Sequence, residues 1–502
     1  RDDVVTEELN RAWYERQSGH RVGQRQARKF HPSIVWMAAT LDGLVEDTGA
    51  VFEAKFMLPW SFSEEAAAEK HMAQLQHNMM VVGCKNAVLS IITGGGKWVE
   101  LQATRFGDVF NPSTGQVIAR VPFCSAAETG EVVEAAAAAL PGWSETPVVE
   151  RARVMFRFRA LMEKHFDELA ALVTREHGKT LAEARAEVNR GIEVIEFACG
   201  IPSLITGEIL PNIASDVDAE AVKHPVGVCV GITPYNFPSM VPLWMYPIAI
   251  TCGNTFVLKP SEKVPLSAIR AGELLQEAGL PDGVFNIVHG DRECVDALLD
   301  HPKVAAISFV GSTAIAKYIY ETGTKNGKRV QALGGAKNHM LVLPDADLDM
   351  AADAAVSAAY GSAGERCMAI SVVLASESIA DALVDKIKER IPAIRVGPAS
   401  ESESEMGPLI TGEHRDKVAG YIGAAEGEGA TLVVDGRQDA PGGGFFLKPS
   451  LIDHAKPGMA CYDDEIFGPV LTVTRISGYQ EGLKLINDNP YGNGTAIFTR
   501  DG

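Results

Sequence analysis

Between residues 226 and 345 the chain alternates short, unbroken apolar runs with longer amphipathic stretches. The runs VGVCVGI, TFVLKP, FNIVHG and AAISFVG are rich in β-branched residues and bounded by Gly, Pro or Asn. Runs of this length read as strands buried on both faces, and the stretches between them repeat apolar residues at helical spacing. The pattern predicts strands at 221–232, 254–258, 284–287, 305–310 and 328–333. Between and before them it predicts helices at 238–250, 265–278, 291–300 and 313–323, the signature of a parallel α/β sheet. Further on, strands are predicted at 339–343, 369–375, 431–433 and 470–475, with helices at 347–360, 378–391 and 413–427. Ahead of residue 221 the spacing predicts helices at 6–18, 63–77, 126–140, 148–177 and 180–199, and strands at 34–39, 50–57 and 86–92. ASESESEMG (399–407) and APGGGF (440–445) read as loops.

Composition narrows the class. At 502 residues, 46% apolar and 22% charged, the chain is long enough for two to four ordinary globular domains. Residues 1–101 hold 11 Lys and Arg against 13 Asp and Glu, and the remainder 35 against 52, so the net charge of −19 lies almost wholly after residue 101. That charge argues against a nucleic-acid or anionic-membrane surface for the whole molecule. Eight scattered cysteines show neither C-x-x-C nor zinc spacing; in a chain this long they suggest a reducing cytoplasm rather than a disulfide framework. No apolar run reaches the roughly 18 residues of a membrane span, the nearest being MVPLWMYPIAI at 240–250. The chain opens without a methionine or a signal-peptide pattern, and is expected to belong to a longer reading frame.

Four stretches carry chemistry. In YGSAGERCMAI (360–370) Cys367 follows a glycine-rich turn and precedes a β-branched run. A thiolate there can attack a carbonyl carbon while backbone N–H groups hold the oxyanion, and Arg366 is expected to lower the thiol pKa; a buried structural cysteine is the plainer alternative. In GITPYNFPSM (231–240) Asn236 stands at a strand end, where its amide suits an oxyanion or a helix cap. In TFVLKPSEKVPLSA Lys259 and Glu262 lie where a ribose would sit at the carboxyl edge of an open sheet, or at a solvated helix start. In ISFVGSTAIAKYIYE Gly311 and Ser312 open a helix whose N-terminus suits a pyrophosphate, although no G-x-G-x-x-G is present.

Together GITPYNFP, LKPSE, FVGST, LGG, G-x-x-C and EIFGP (465–469) resemble, in order, the aldehyde dehydrogenase superfamily over about residues 103–502. KHPVGVCVGITPYNFPSMVPLWMYPIAITCGNTFVLKPSE and GERCMA are similar to its CoA-acylating branch, the methylmalonate-semialdehyde dehydrogenases. The resemblance implies a Rossmann-like NAD domain over 102–333, with an oligomerisation hairpin at about 206–226, and an α/β catalytic domain over 334–502. It implies that Cys367 attacks the aldehyde and that Asn236 and the Cys367 N–H hold the oxyanion. Lys259 and Glu262 would contact the adenosine ribose, favouring NAD over NADP. Thr233, Tyr235, Gly311, Ser312 and Gly334 would line the cofactor site, and Glu465 and Phe467 would position the nicotinamide ribose. Arg190 and Arg366 would grip a substrate carboxylate. Hydrolytic relatives read E-L-G-G, whereas Ala332 precedes LGG here, so the water-activating base is absent. A thiol needs less activation than water, and coenzyme A is the implied acyl acceptor. Glu365, where Gln is expected in many relatives, would act as a weak base or oppose thiolate formation. A homo-oligomer is the expected assembly. Relatives are expected to continue for several tens of residues beyond Gly502.

In TLDGLVEDTGAVFEAK (40–55), Asp42, Glu53 and Lys55 form a D-x10-E-x-K pattern that suits Mg2+ and a phosphodiester. An amphipathic hairpin explains it as well. With AWYERQSGHRV, EKHMAQLQHNM and SIITGGGKWVEL, the segment resembles a fragment of the YqaJ-like phage recombination exonucleases, a partial restriction-endonuclease-like α/β fold over 1–101. The resemblance adds Glu7 as a metal ligand and Gln76 near the site, and Arg21, Arg25, Arg28 and Lys29 as phosphate contacts for DNA. The chain is thus expected to join two incomplete genes near residues 101–105.

Overall fold

A computed structural model describes residues 2–30, 38–57, 64–82, 84, 86–93, 98–104 and 106–501. Two compact units divide the chain, one of residues 1–107 with 120–125 and one of 108–119 with 126–502.

The first unit holds a five-stranded sheet in the order Val22–Gly23, Gly43–Val45, Val51–Met57, Asn86–Thr93, Trp98–Thr104. Val51–Met57 and Asn86–Thr93 run parallel, joined through the helix Glu64–Val82, and Trp98–Thr104 returns antiparallel. Alternation along Val51–Met57 divides the core. Val51 packs with Leu41, Leu75 and Leu89, while Phe52 and Ala54 pack with Tyr14 and Val88. The strand predicted at 34–39 lies mostly outside the described residues; Ala38–Leu41 is a strand.

In the second unit a wholly parallel sheet runs Phe285–Ile287, Thr255–Lys259, Val228–Ile232, Val304–Val310, Arg329–Leu333. Of its three interior strands, Val228–Ile232 and Thr255–Lys259 are buried at every position, as their unbroken apolar sequence requires, and Val304–Val310 is partly buried. A second sheet follows the order Thr431–Val434, Ser450–Asp453, Val470–Ile476, Ile370–Ser376, Asn338–Val342, Thr495–Phe498. Only its Thr431–Val434 edge pairs antiparallel. The helix expected over 148–177 is two, Val148–Lys164 and Phe166–His177, because His165 leaves helical geometry between them. Strands at Phe106–Asn111, Gln116–Pro122, Ser450–Asp453 and Thr495–Phe498 and the helix Tyr479–Asp488 were not predicted. Among the described residues no helix is long and apolar enough to cross a membrane.

Candidate active site

The helix Leu348–Tyr360 ends in a turn that presents Cys367. Ser362 (φ 49°), Ala363 (φ 51°) and Gly364 (φ 73°) are all left-handed, a strained conformation for the first two that surrounding contacts must hold. A Cβ on Gly364 would collide with the Gly468 carbonyl. Ser362 N–H donates to Glu183 Oε1 at 2.6 Å. Beyond the turn, the Cys367 carbonyl accepts from Nδ2 of Asn338 and of Asn493, each at 2.8 Å.

The thiol itself departs from expectation. Burial pushes the Cys367 pKa up, Glu465 adds to the rise, and Arg366 is the weakest of the groups that lower it. Arg366 is engaged elsewhere: its Nη2 donates to the Ser357 and Ala358 carbonyls at 3.0 and 2.8 Å, capping the preceding helix. Among the described residues its buried Nε has no partner. Glu365 is fully buried and its carboxyl is pushed up to about 8 by desolvation. Its Oε1 accepts from Ile410 N–H at 3.3 Å and lies 3.6 Å from His414 Nε2. The carboxylate that bears on the thiol is therefore Glu465, not Glu365.

A cavity of about 260 Å³ gathers most of the predicted residues. Tyr235, Asn236, Gly311, Ser312, Gly334, Cys367, Glu465 and Phe467 line it together with Pro234, Gly335, His414 and Lys417. Asn236 sits in the loop after Val228–Ile232 and is nearly buried. Ser312 caps the helix Thr313–Lys325 without using its side chain, so hydroxyl and helix N-terminus both stay available to a phosphate. Glu465 Oε1 accepts from Ala336 N–H at 3.0 Å, and a Cβ on Gly335 would collide with Glu465. Phe467 is left-handed (φ 59°) and meets Tyr235 edge to face.

Thr233, Lys259 and Glu262 do not line that cavity. They stand beside it, at the carboxyl ends of adjacent parallel strands: Ile232 pairs with Lys259, and Thr233 N–H donates to the Lys259 carbonyl at 3.2 Å. Lys259 Nζ is 3.3 Å from Glu262 Oε2. Ala332 pairs with Phe309 on the edge strand. Strand alternation turns Ala332 away from the face of Gln331 and Leu333, which line a different cavity. Gly334 and Gly335, directly after it, reach the Cys367 cavity. Arg190 is not brought to the site. It is exposed, pairs with Glu193 at 2.8 Å and lines neither cavity that contains Cys367.

In the first unit Glu53 is 1% exposed. Its Oε1 accepts from Lys55 Nζ and from Gln74 Nε2, and its Oε2 from Asn78 Nδ2. The glutamine at Glu53 is thus Gln74, beside Asn78, whereas Gln76 donates toward the Met72 sulfur; helical spacing from Asn78 carries Gln74 to that face. Asp42 Oδ2 accepts from Ala54 N–H at 2.9 Å. Burial raises both carboxyls, and each like charge raises Glu53 further, Asp42 before Glu7. Glu7 accepts from Gln26 Nε2. Arg21, Arg25 and Arg28 are exposed and Lys29 half-buried. Among the described residues no three His, Cys, Asp or Glu side chains are gathered as a metal ion requires.

Residues 98–502 match the model of the aldehyde dehydrogenase family, and residues 4–85 that of the YqaJ-like viral recombinase domain. The chain belongs to the aldehyde dehydrogenase family. It is 54% identical over 402 residues to the malonate-semialdehyde dehydrogenase of Pseudomonas aeruginosa, covering 79% of this chain and 81% of that one. To malonate-semialdehyde dehydrogenase 2 of Oceanobacillus iheyensis it is 50% identical over 410 residues, 81% of this chain and 84% of the other. The crystal structure of methylmalonate-semialdehyde dehydrogenase from Oceanimonas doudoroffii superposes with a TM-score of 0.78 at 53% identity, over 80% of this chain and 83% of that one. A structure from Sinorhizobium meliloti complexed with NAD, described by inference as a methylmalonate-semialdehyde dehydrogenase, gives 0.78 at 48% identity over 79% and 82%.

Proposed function

We propose that the chain catalyses NAD-dependent, CoA-acylating oxidation of malonate semialdehyde or methylmalonate semialdehyde to acetyl-CoA or propionyl-CoA. The observation that carries this reading is the cavity shared by Cys367, Asn236, the Ser312 helix terminus and Glu465, with an alanine, Ala332, in place of a base. Relatives named for these substrates, and one bound to NAD, support it.

Cys367 releases its proton to solvent and its sulfur bonds to the aldehyde carbon, while Asn236 Nδ2 and the Cys367 N–H receive the charge on oxygen. NAD, when bound, supplies the acceptor for the hydride that leaves that carbon. Glu465 and Phe467 fit a nicotinamide ribose, Gly311 and Ser312 a pyrophosphate, and Lys259 with Glu262 an adenosine ribose. The Cys367 thioester that remains has no carboxylate at Ala332 to activate water. The substrate carboxylate, which we assign to the Nε side of Arg366, leaves as carbon dioxide, and the adjacent carbon takes a proton from solvent. The thiolate of coenzyme A then bonds to the acyl carbon, the Cys367–carbon bond breaks, and the cysteine sulfur recovers a proton. Mass analysis of products from malonate semialdehyde, NAD and coenzyme A tests the reading. Acetyl-CoA is expected, and free malonate as the main product would overturn it.

A second reading attaches to residues 4–85, whose family match and buried Glu53 with Lys55 suit Mg2+-dependent cleavage of DNA by Asp42 and Glu53. Release of nucleotides from linear duplex DNA with Mg2+, abolished in Glu53→Ala, is its test; equal release by the variant would remove it.

A further inference from the structure

The nucleophile and the oxyanion amide come from loops 131 positions apart in sequence, Asn236 and Cys367, and one helix contacts both loops. The helix Leu181–Cys199 opens in a capping box: Thr180 Oγ1 receives Glu183 N–H, and Glu183 Oε2 receives Thr180 N–H at 3.1 Å. The second oxygen of Glu183 takes Ser362 N–H in the strained turn before Cys367. One helical turn later Glu187 Oε1 accepts from Ser239 and Met240 N–H at 2.8 and 3.1 Å, just beyond Asn236. Its Oε2 accepts from Lys179 Nζ at 2.6 Å, and the same ammonium donates to the Asn236 carbonyl at 2.8 Å. Lys179 Nζ also lies 4.1 Å over the Phe237 ring. Both side chains of this ion pair are 0% exposed. A third turn on, a Cβ at Gly191 would collide with Leu243, so the helix lies close against the helix Met240–Thr251 that follows the Asn236 loop. Glu183, Glu187 and Gly191 repeat at four-residue spacing and so share one helix face.

We propose that Lys179, Glu183 and Glu187 are positioning residues that fix the separation of the Cys367 thiol from the Asn236 amide, preorganising the oxyanion site without touching substrate or cofactor. The ion pair suits this purpose. A buried charge pair adds little net stability, but each member loses its partner if the other moves, so the arrangement admits one geometry. Oxyanion donors act through placement, and a shift of well under 1 Å costs rate while leaving cofactor binding intact. Glu183 governs the thiol arm and the Lys179–Glu187 pair the amide arm, so the two are separable. The proposal rests on the dehydrogenase reading only for its effect on rate.

The test uses the whole chain with Lys179→Met/Glu187→Gln, which removes both charges together, and with Glu183→Gln. Amide hydrogen exchange needs no turnover. The double variant is expected to speed exchange at Ser239 and Met240 at least tenfold while sparing Ser362, and Glu183→Gln to do the reverse. Alkylation of Cys367 by iodoacetamide is expected to rise at least fivefold in Glu183→Gln and to stay within twofold in the double variant. NADH formation in the first turnover is expected to fall 10- to 100-fold in the double variant, with the Kd for NAD within twofold. In that background Asn236→Ala should cost at most threefold more, because both changes remove the same donor. Unchanged exchange at Ser239 and Met240, or fully additive losses with Asn236→Ala, would overturn the proposal. Absence of NADH from the parent chain would count against the reaction assigned above, and the exchange and alkylation results would still decide this one.

Discussion

Cys367 and Glu365 stand two positions apart and are governed by the same cost. Removing a thiolate or a carboxylate from water raises its pKa, and a nearby guanidinium offsets that only if its charge is not already spent. Arg366 spends its charge on two helix carbonyls, so burial wins at Cys367. Alkylation of Cys367 by iodoacetamide in the absence of cofactor is therefore expected to keep accelerating from pH 7 through pH 9. A plateau by pH 7 would show a preformed thiolate. Glu365 titrates near 8 in the folded chain against 4.5 for the ordinary side chain. Folding thus binds a proton, and the stability that goes with it is complete below pH 4.5 and lost as pH rises through 8. Glu365→Gln keeps the neutral form at every pH. Its thermal midpoint is expected to match the parent near pH 4.5 and to exceed it by a few degrees at pH 9, about 1–3 kcal/mol; equal curves would contradict the assignment.

At the scale of elements, what positions the site is a set of turns and strand ends, and glycine marks the tightest of them. Gly364 combines φ 73° with a close approach to the Gly468 carbonyl, so Gly364→Ala is expected to cost about 2–4 kcal/mol in urea unfolding. A loss below about 1 kcal/mol would show that the turn relaxes freely. The parallel strands were readable from sequence because burial on both faces leaves an unbroken apolar run, as in VGVCVGI and TFVLKP. Cys367 and Asn236 stood out because short motifs at strand ends carry their own chemistry, and the fold brings both to one cavity. Other features were not. The helix pattern runs through His165 without a breaker, so the division at 164–166 left no signal. Arg366 reads as an activator until its distant acceptors are seen. Lys179 and Glu187 belong to no motif read from the sequence, and they meet their partners only where the chain returns at Asn236–Met240, some 50 residues on. Arg190 on the same helix was given a substrate role from its place in a motif, and the fold leaves it exposed against Glu193.

For the whole molecule, the strand Trp98–Thr104 falls within the aldehyde dehydrogenase match yet pairs with Asn86–Thr93 in the sheet of the first unit. In the second unit the hairpin of Glu208–Ala214 and Val217–Ala221 is exposed almost throughout, with Ile209 70% and Ile213 56% exposed. Apolar residues so placed mark an interaction surface, and the hairpin is expected to serve self-association. Sedimentation of Ile209→Lys/Ile213→Lys is expected to show a smaller species than the parent, and identical sedimentation of the two would dismiss the assignment. The proposed reaction joins all three scales: Cys367 would form a thioester that, with alanine at 332, coenzyme A alone would release. NADH absorbance after mixing the chain with malonate semialdehyde and NAD tests it most directly. The account predicts one NADH per chain and then a halt, with sustained turnover when coenzyme A is added and no NADH from Cys367→Ala. Sustained turnover without coenzyme A would contradict it, because another group would then be activating water where Ala332 cannot.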